Sequence, residues 1–258
     1  MQARTLPARR GWAWIVDGFA IWKRNPALIT FLVMAYSFIQ LVMFIVPYIG
    51  PIVISLTTPA LALGIYNGCK AVAEGRKVGP EVMFSGFRQQ LPELIKIGGI
   101  NFLCTLALVG LAVLIDGSMG DRMVDILLGK ADAGETLSEN PSFGLAVLVV
   151  VVGFTPLAMA YWFAPLLAAW GKVPAVKALF FSYVACLRNW RAFLVYGLCL
   201  MVVTQAASIV VIVFDLALPI LGSLAALAFP VVFMPVVFAS LYANTTDVFG
   251  KITPDEQD

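Results

Sequence analysis

The sequence contains no histidine among its 258 residues. Histidine is the commonest proton shuttle and a frequent metal ligand, so its absence excludes histidine-ligated metal centres and histidine-based catalytic triads. The sequence also lacks the patterns GxxxxGK(S/T), GxGxxG and GxSxG, which mark phosphate loops, dinucleotide sites and hydrolase nucleophiles. We therefore expect a protein with no cofactor, no metal site and no enzymatic activity.

Charged residues are scarce as well. They make up 12% of the chain, against about 25% in soluble domains. Hydrophobic residues make up 61% of the chain, against about 45–50% in soluble domains. The apolar residues form blocks of roughly 20 residues, the length that crosses the hydrocarbon core of a bilayer. The sequence therefore predicts an all-α polytopic membrane protein with six transmembrane helices. The predicted spans cover residues 26–47, 50–73, 92–115, 143–170, 192–214 and 219–243.

Lysine and arginine are distributed unevenly among the segments that connect the spans. Fifteen of the 17 lie before span one, between spans two and three, between spans four and five, or in the tail at Lys251. The other two, Arg122 and Lys130, share the loop of residues 116–141 with six carboxylates. Positive residues that flank spans are retained in the cytoplasm. We therefore predict a bacterial inner-membrane protein with both termini cytoplasmic, an acidic outer loop and a polar tail at 250–258.

A segment that is too polar to span the membrane precedes each pair of spans. In the first, Trp12, Val16 and Phe19 fall on one helical face, and the other two segments cover residues 80–91 and 174–191. Apolar residues at this spacing beside charged ones are typical of amphipathic helices that lie at a membrane interface. The sequence therefore predicts three interfacial helices, one ahead of each hairpin.

A second landmark recurs in the even-numbered spans, where a proline is followed seven residues later by an aromatic residue. The pairs are Pro59 with Tyr66, Pro156 with Phe163 and Pro235 with Tyr242. Together with the interfacial helices, this favours three tandem units of interfacial helix plus transmembrane hairpin within a single transmembrane domain. The units cover about residues 9–75, 80–171 and 174–249. The alternative is that apolar composition alone makes these segments alike.

Polar residues inside the predicted spans are the candidate binding groups, because an unpaired polar group in hydrocarbon is costly. Asn67, Asn101 and Gln205 either line a cavity between the kinked spans or hydrogen-bond neighbouring helices. Asp116 and Asp215 close two spans on the outer side and are the plausible acids of a membrane-embedded enzyme, a role for which the sequence offers no other support.

Arginines mark the entry to each hairpin, at Arg24, Arg88 and Arg188. Cations at the cytoplasmic surface attract anionic headgroups by about 1 kcal/mol each. Membrane lipids with anionic headgroups are therefore expected partners, although the retention of cations in the cytoplasm explains the same residues. We expect no nucleic-acid partner.

The sequence PARRGWAW at residues 7–14 and the aromatic, arginine and asparagine residues that open the hairpins carry a resemblance over residues 7 to 249. The chain resembles the uncharacterised six-span inner-membrane proteins of betaproteobacteria. More distantly, it is similar to the membrane domain attached to some glycerophosphodiester phosphodiesterases. The first resemblance implies a bacterial inner membrane, and the second implies membrane anchoring beside a soluble enzyme domain that this chain does not contain.

These observations lead to two functional hypotheses. The first is a non-enzymatic scaffold or accessory subunit that contacts a protein partner through its spans or its outer loop. The second is a transporter or lipid-handling protein with a site between the kinked spans.

Overall fold

The computed structural model describes residues 3–250 and 252, and within them the chain is helical and contains no strand. A 3₁₀ segment, Pro80–Arg88, lies between α3 and α4. The α-helices of these residues are α1 (Arg10–Arg24), α2 (Pro26–Phe44), α3 (Ile49–Ala73), α4 (Leu91–Ile115), α5 (Met119–Leu127), α6 (Ala133–Glu139), α7 (Pro141–Gly171), α8 (Ala175–Arg188), α9 (Trp190–Ala217) and α10 (Pro219–Phe249).

Six of the described helices are long and apolar enough to cross a membrane, which confirms the predicted number of spans. They are α2, α3, α4, α7, α9 and α10, and they pack as the hairpins α2–α3, α4–α7 and α9–α10. The last helix continues six residues beyond the predicted end at residue 243. Asn244 and Thr245, which ended the apolar run in the sequence, are buried inside the bundle.

Each hairpin has a polar residue at the N-cap position of its first helix, and in the first hairpin its side chain makes a capping hydrogen bond. These residues are Asn25 before α2, Gln90 before α4 and Asn189 before α9. The Asn25 side chain accepts a hydrogen bond from the backbone N–H of Leu28 at 3.1 Å. Such a bond satisfies one of the N–H groups that have no acceptor within the helix, and it fixes where the span starts.

The three segments that precede the hairpins lie at one end of the bundle, which we call the base. The 3₁₀ segment packs chiefly on α3, α8 packs chiefly on α7, and α1 packs on α10 and α9. Each segment therefore contacts the hairpin before its own, and the first contacts the last. The segment of residues 80–91, predicted as a helix, is a 3₁₀ helix over its first nine residues.

In each of these segments, the residue seven positions before the cap makes a close contact with a span. A Cβ added to Gly18 would lie 2.5 Å from the Ser240 nitrogen, and one added to Gly64 would lie 1.9 Å from the Met83 carbonyl oxygen. In α8, the Ser182 hydroxyl donates to the Met159 carbonyl at 2.7 Å and accepts from the Phe163 N–H at 2.9 Å. Gly18, Met83 and Ser182 therefore hold equivalent positions.

Burial is concentrated in the half of the bundle near the base. Trp14, Leu32 and Phe163 are fully or almost fully buried there. In the far half, the side chains of α9 between residues 201 and 217 are largely exposed, as are those of α10 between residues 218 and 234. The hairpins are thus held together at the base and offer apolar surfaces at the far end.

The loop between α4 and α7 contains two short helices. They are α5, over Met119–Leu127, and α6, over Ala133–Glu139. Asp116 is buried, accepts hydrogen bonds from Ser118 and pairs with Arg122. Lys251 and residues 253–258 of the predicted polar tail lie outside the described residues.

Candidate functional site

Asn67 lies on α3 within a hydrogen-bonded cluster near the base. Its amide nitrogen donates to the Ser85 hydroxyl at 2.8 Å and to Gln89 Oε1 at 3.4 Å, and its amide oxygen accepts from Trp170 Nε1 at 2.9 Å. The cluster joins α3, the 3₁₀ segment and α7. Asn67 therefore fixes the orientation of the Trp170 ring.

Asn101 and Gln205 lie elsewhere. Asn101 is half-buried on α4, and Gln205 is exposed near the middle of α9. Neither side chain has a hydrogen-bond partner among the residues that the structure describes. The three residues, which were predicted together as candidate binding groups, are therefore not joined in one hydrogen-bonded site.

The three hairpin arginines have exposed side chains. Arg24 Nη1 donates to the Ala73 carbonyl at 2.9 Å, which ties the end of α1 to the end of α3. Arg88 and Arg188 make no ion pair among the described residues. Arg24 lines a cavity.

That cavity opens at the base, where α1 meets the ends of α3, α7 and α10, and its volume is about 570 Å³. We call it the basal cavity. Trp170 and Tyr242 form apolar parts of its wall, with ring centroids 6.1 Å apart. Its charged lining residues are Arg10, Asp17, Arg24, Lys70, Glu74 and Asp247.

The carboxylates of the basal cavity are already paired. Arg10 binds Asp247 at 2.6 Å and Asp17 at 3.2 Å, and Trp14 Nε1 donates to the same Asp247 oxygen at 2.8 Å. The hydrogen bond that Arg10 donates to Asp247, together with the charges of the two carboxylates, raises the pKa of Arg10 above its ordinary value despite the opposing effect of burial. Arg10 therefore stays charged and locks α1 onto α10.

The remaining charges leave two cations free of carboxylates. Glu74 pairs with Arg76 at 2.7 Å, whereas Lys70 and Arg24 have no carboxylate within 4.0 Å among the described residues. The Lys70 ammonium lies 4.8 Å from the centroid of the Trp170 ring, within the range of a cation–π interaction. Sequence reasoning missed Lys70, because one lysine near the end of a span looks like any other flanking cation.

A second concave surface lies between α1, α9 and α10 and has a volume of about 650 Å³. We call it the α1 groove. Its α1 wall is Trp12, Ile15, Val16 and Phe19, the face predicted to meet the membrane interface. The opposite face of α1, with Trp14, is buried in the bundle. Lys23 Nζ lies 5.5 Å from the Phe19 ring centroid, so a cation stands at the rim of the groove.

A polar group between α2 and α3 is incompletely paired. Gln40 Nε2 donates to Thr58 Oγ1 at 2.8 Å and to the Tyr36 hydroxyl at 3.3 Å, which links α2 to α3 one residue before Pro59. The amide oxygen of Gln40 is buried without a partner among the described residues. This contact explains how a glutamine is accommodated within an apolar span.

Six apolar spans in antiparallel hairpins, joined by short amphipathic segments at one end, define a polytopic integral membrane protein. The chain is 33% identical to a probable inner membrane protein of Burkholderia thailandensis, in a match that covers 98% of this chain and 96% of that protein. The chain therefore belongs to the family of this inner membrane protein and is itself a multi-pass inner membrane protein. No family model matches the sequence, and no solved structure matches it.

Proposed function

We propose that this chain is a non-enzymatic scaffold or accessory subunit of the bacterial inner membrane that docks a helix of a protein partner against α9. Both termini lie in the cytoplasm in this proposal, and the chain consists of three tandem units. The resemblance to the membrane domain of glycerophosphodiester phosphodiesterases remains part of this proposal, and it implies an anchoring role without phosphodiesterase activity.

The orientation is supported by the distribution of lysine and arginine. Among the residues that the structure describes, all lysines and arginines except Arg122 and Lys130 lie toward the base, and cations beside spans remain on the cytoplasmic side. Cysteine labelling tests it: a cysteine at Leu128 should react with a membrane-impermeant maleimide added to intact spheroplasts, whereas one at Glu74 should react only after lysis. The reverse pattern contradicts the orientation.

The tandem units are supported by the equivalent contacts of Gly18, Met83 and Ser182. Each of these residues lies seven positions before the residue that caps its hairpin, at Asn25, Gln90 and Asn189. Each contacts the second span of the preceding hairpin, with α1 completing the ring on α10. Three copies of one unit, each packing on the one before, account for this pattern more simply than similar composition does.

Gln205 is the observation that carries the docking role. Its amide is exposed near the centre of α9, where a bilayer offers no water to hydrogen-bond it. Thr204 and Ser208 beside it satisfy their hydroxyls on the helix's own carbonyl groups, but Gln205 has no such bond among the described contacts. Polar side chains in this situation join helices across an interface, at about 1 kcal/mol per hydrogen bond.

Site-specific photo-crosslinking in intact cells tests this proposal. A photoreactive amino acid at position 205 should crosslink one protein, to be identified by mass spectrometry. Gln205→Leu should lower co-purification of that protein about fivefold, as the loss of about 1 kcal/mol requires. Leu148 on α7 is the control position, because its side chain is also exposed but is apolar and cannot form a hydrogen bond with a partner. Crosslinks to lipid alone at both positions would contradict docking.

The second candidate is a lipid-handling protein, and the α1 groove favours it. A groove on the membrane-facing side of spans is filled by apolar material, and Lys23 at its rim suits an anionic headgroup. Native mass spectrometry of the gently extracted protein tests this reading. Ala228→Trp, which fills the groove, should remove a retained phospholipid, whereas Leu148→Trp should not; equal retention in both variants contradicts it.

A further inference from the structure

We propose that the basal cavity is a binding site for a phosphate-bearing anion, with Arg24 and Lys70 as the groups that hold the phosphate. The proposal does not depend on docking at Gln205 or on the α1 groove. The basal cavity is lined by a different face of α1, and it contains neither Gln205 nor any residue that lines the α1 groove.

The shape of the site suits a small ligand. Its volume of about 570 Å³ lies within the roughly 300–1,000 Å³ typical of ligand sites. Its walls come from α1 and from the ends of the second helices of all three hairpins, α3, α7 and α10. A ligand held there contacts every unit of the bundle at once.

The charges of the site select an anion. Six charged residues line the cavity, and the three carboxylates among them are occupied by Arg10 and by Arg76. Arg24 and Lys70 are the lining cations without a carboxylate among the described residues. Arg24 uses one guanidinium nitrogen for the Ala73 carbonyl, so its remaining N–H groups are free to donate. A guanidinium fork beside an ammonium is a donor set that recognises phosphate oxygens.

The site is held in shape before a ligand arrives. Lys70 rests on the Trp170 ring, whose N–H is bound by Asn67, and Asn67 is in turn bound to Ser85. Tyr242 meets the same ring edge-on. A polar chain of this kind, with no carboxylate for the lysine at its end among the described residues, positions the ammonium for a ligand and gives Asn67 a role within a span.

The phosphate has two possible sources with the same chemistry: a phospholipid headgroup and a soluble phosphate compound. Isothermal titration calorimetry of the full chain in uncharged maltoside micelles separates them. The two probes are inorganic phosphate and dihexanoyl-phosphatidylglycerol. Binding of both identifies a soluble phosphate site, and binding of the lipid alone identifies a headgroup site; both results support the proposal.

Variants decide whether the cavity is responsible. Lys70→Gln and Arg24→Gln should each weaken binding about fivefold, whereas Arg88→Gln, which removes an exposed cation outside the cavity, should leave it within a factor of two. Thr246→Phe keeps both cations and fills the cavity, so it should abolish binding even if a charge variant fails to fold. Absence of binding by the unaltered chain, equal weakening by Arg88→Gln, or full binding by Thr246→Phe overturns the proposal.

Discussion

Replacing Gly18 by alanine should destabilise the protein, although alanine is the better helix former. The added Cβ would lie 2.5 Å from the Ser240 nitrogen and 2.7 Å from its Cα. Both atoms belong to backbone in the middle of α10 and cannot rotate away, so α1 has to move. The movement would disturb the contacts that Trp14, fully buried, makes with Phe193 at a centroid distance of 5.3 Å.

The expected size follows from two opposing effects. Overpacking of this kind costs about 1–3 kcal/mol, and the gain in helix propensity from glycine to alanine returns up to about 1 kcal/mol. We expect a net loss of about 1–2 kcal/mol. Gly197→Ala in α9 is the matched control, because nothing lies within 4 Å of the Cβ it would add. It should be neutral or stabilising.

The assay is reversible unfolding in mixed micelles with increasing sodium dodecyl sulfate, followed by tryptophan fluorescence. The free energies of unfolding of the two variants should differ by about 2 kcal/mol, with opposite signs relative to the unaltered chain. If Gly18→Ala is as stable as Gly197→Ala, α1 does not pack on α10 as closely as described, and the close contact is not needed for stability.

Three further changes test the same arrangement, two of them by the same unfolding assay and one by limited proteolysis. Asp247→Asn removes the charged partner of Arg10 and should lower the free energy of unfolding by about 1–3 kcal/mol, because a charge-assisted bond is lost. Asn189→Ala removes a buried amide that accepts from the Leu6 N–H at 2.8 Å, and it should make the N-terminal segment more sensitive to trypsin. Gly64→Ala should lower the free energy of unfolding as Gly18→Ala does, because the added Cβ would overlap the Met83 backbone of the 3₁₀ segment that packs on α3.

The Asp247→Asn and Gly64→Ala tests each have a control with the same chemical change in an open position. Asp121→Asn replaces an exposed carboxylate in α5, and Gly110→Ala adds a Cβ in open space on α4. Both should leave the free energy of unfolding within about 0.5 kcal/mol of that of the unaltered chain, apart from the gain in helix propensity at residue 110. A destabilised control, or an unaffected test variant, would contradict the assigned contacts.

The number and extent of the spans could be predicted because hydropathy acts locally along the chain. The prediction failed at the end of α10, where Asn244 and Thr245 are polar but buried. Their burial depends on helices that are distant in sequence. It cannot be read from the residues beside them.

The candidate site was harder to predict. Asn67 and Gln205 are both amides inside apolar spans, and only the packing of α3 and α9 separates a fully bonded side chain from an exposed one. Lys70 gained its significance from Trp170, which lies on another hairpin. A single sequence does not reveal that two distant residues are in contact. It does reveal a helix N-cap such as Asn25, because capping depends on residues that are close in sequence.

The bond between Arg10 and Asp247 joins residues that are 237 positions apart, and this distance imposes an order on biogenesis. At about 5–20 residues per second, the ribosome needs roughly 10–50 s after releasing α1 to complete the helix against which α1 packs. During that time Gly18 lacks its contact with Ser240 and Arg10 lacks Asp247, and the amphipathic helix must wait at the membrane surface. The first helix to be made is thus among the last to reach its place, so a chain truncated before α10 should leave its N-terminus open to proteolysis.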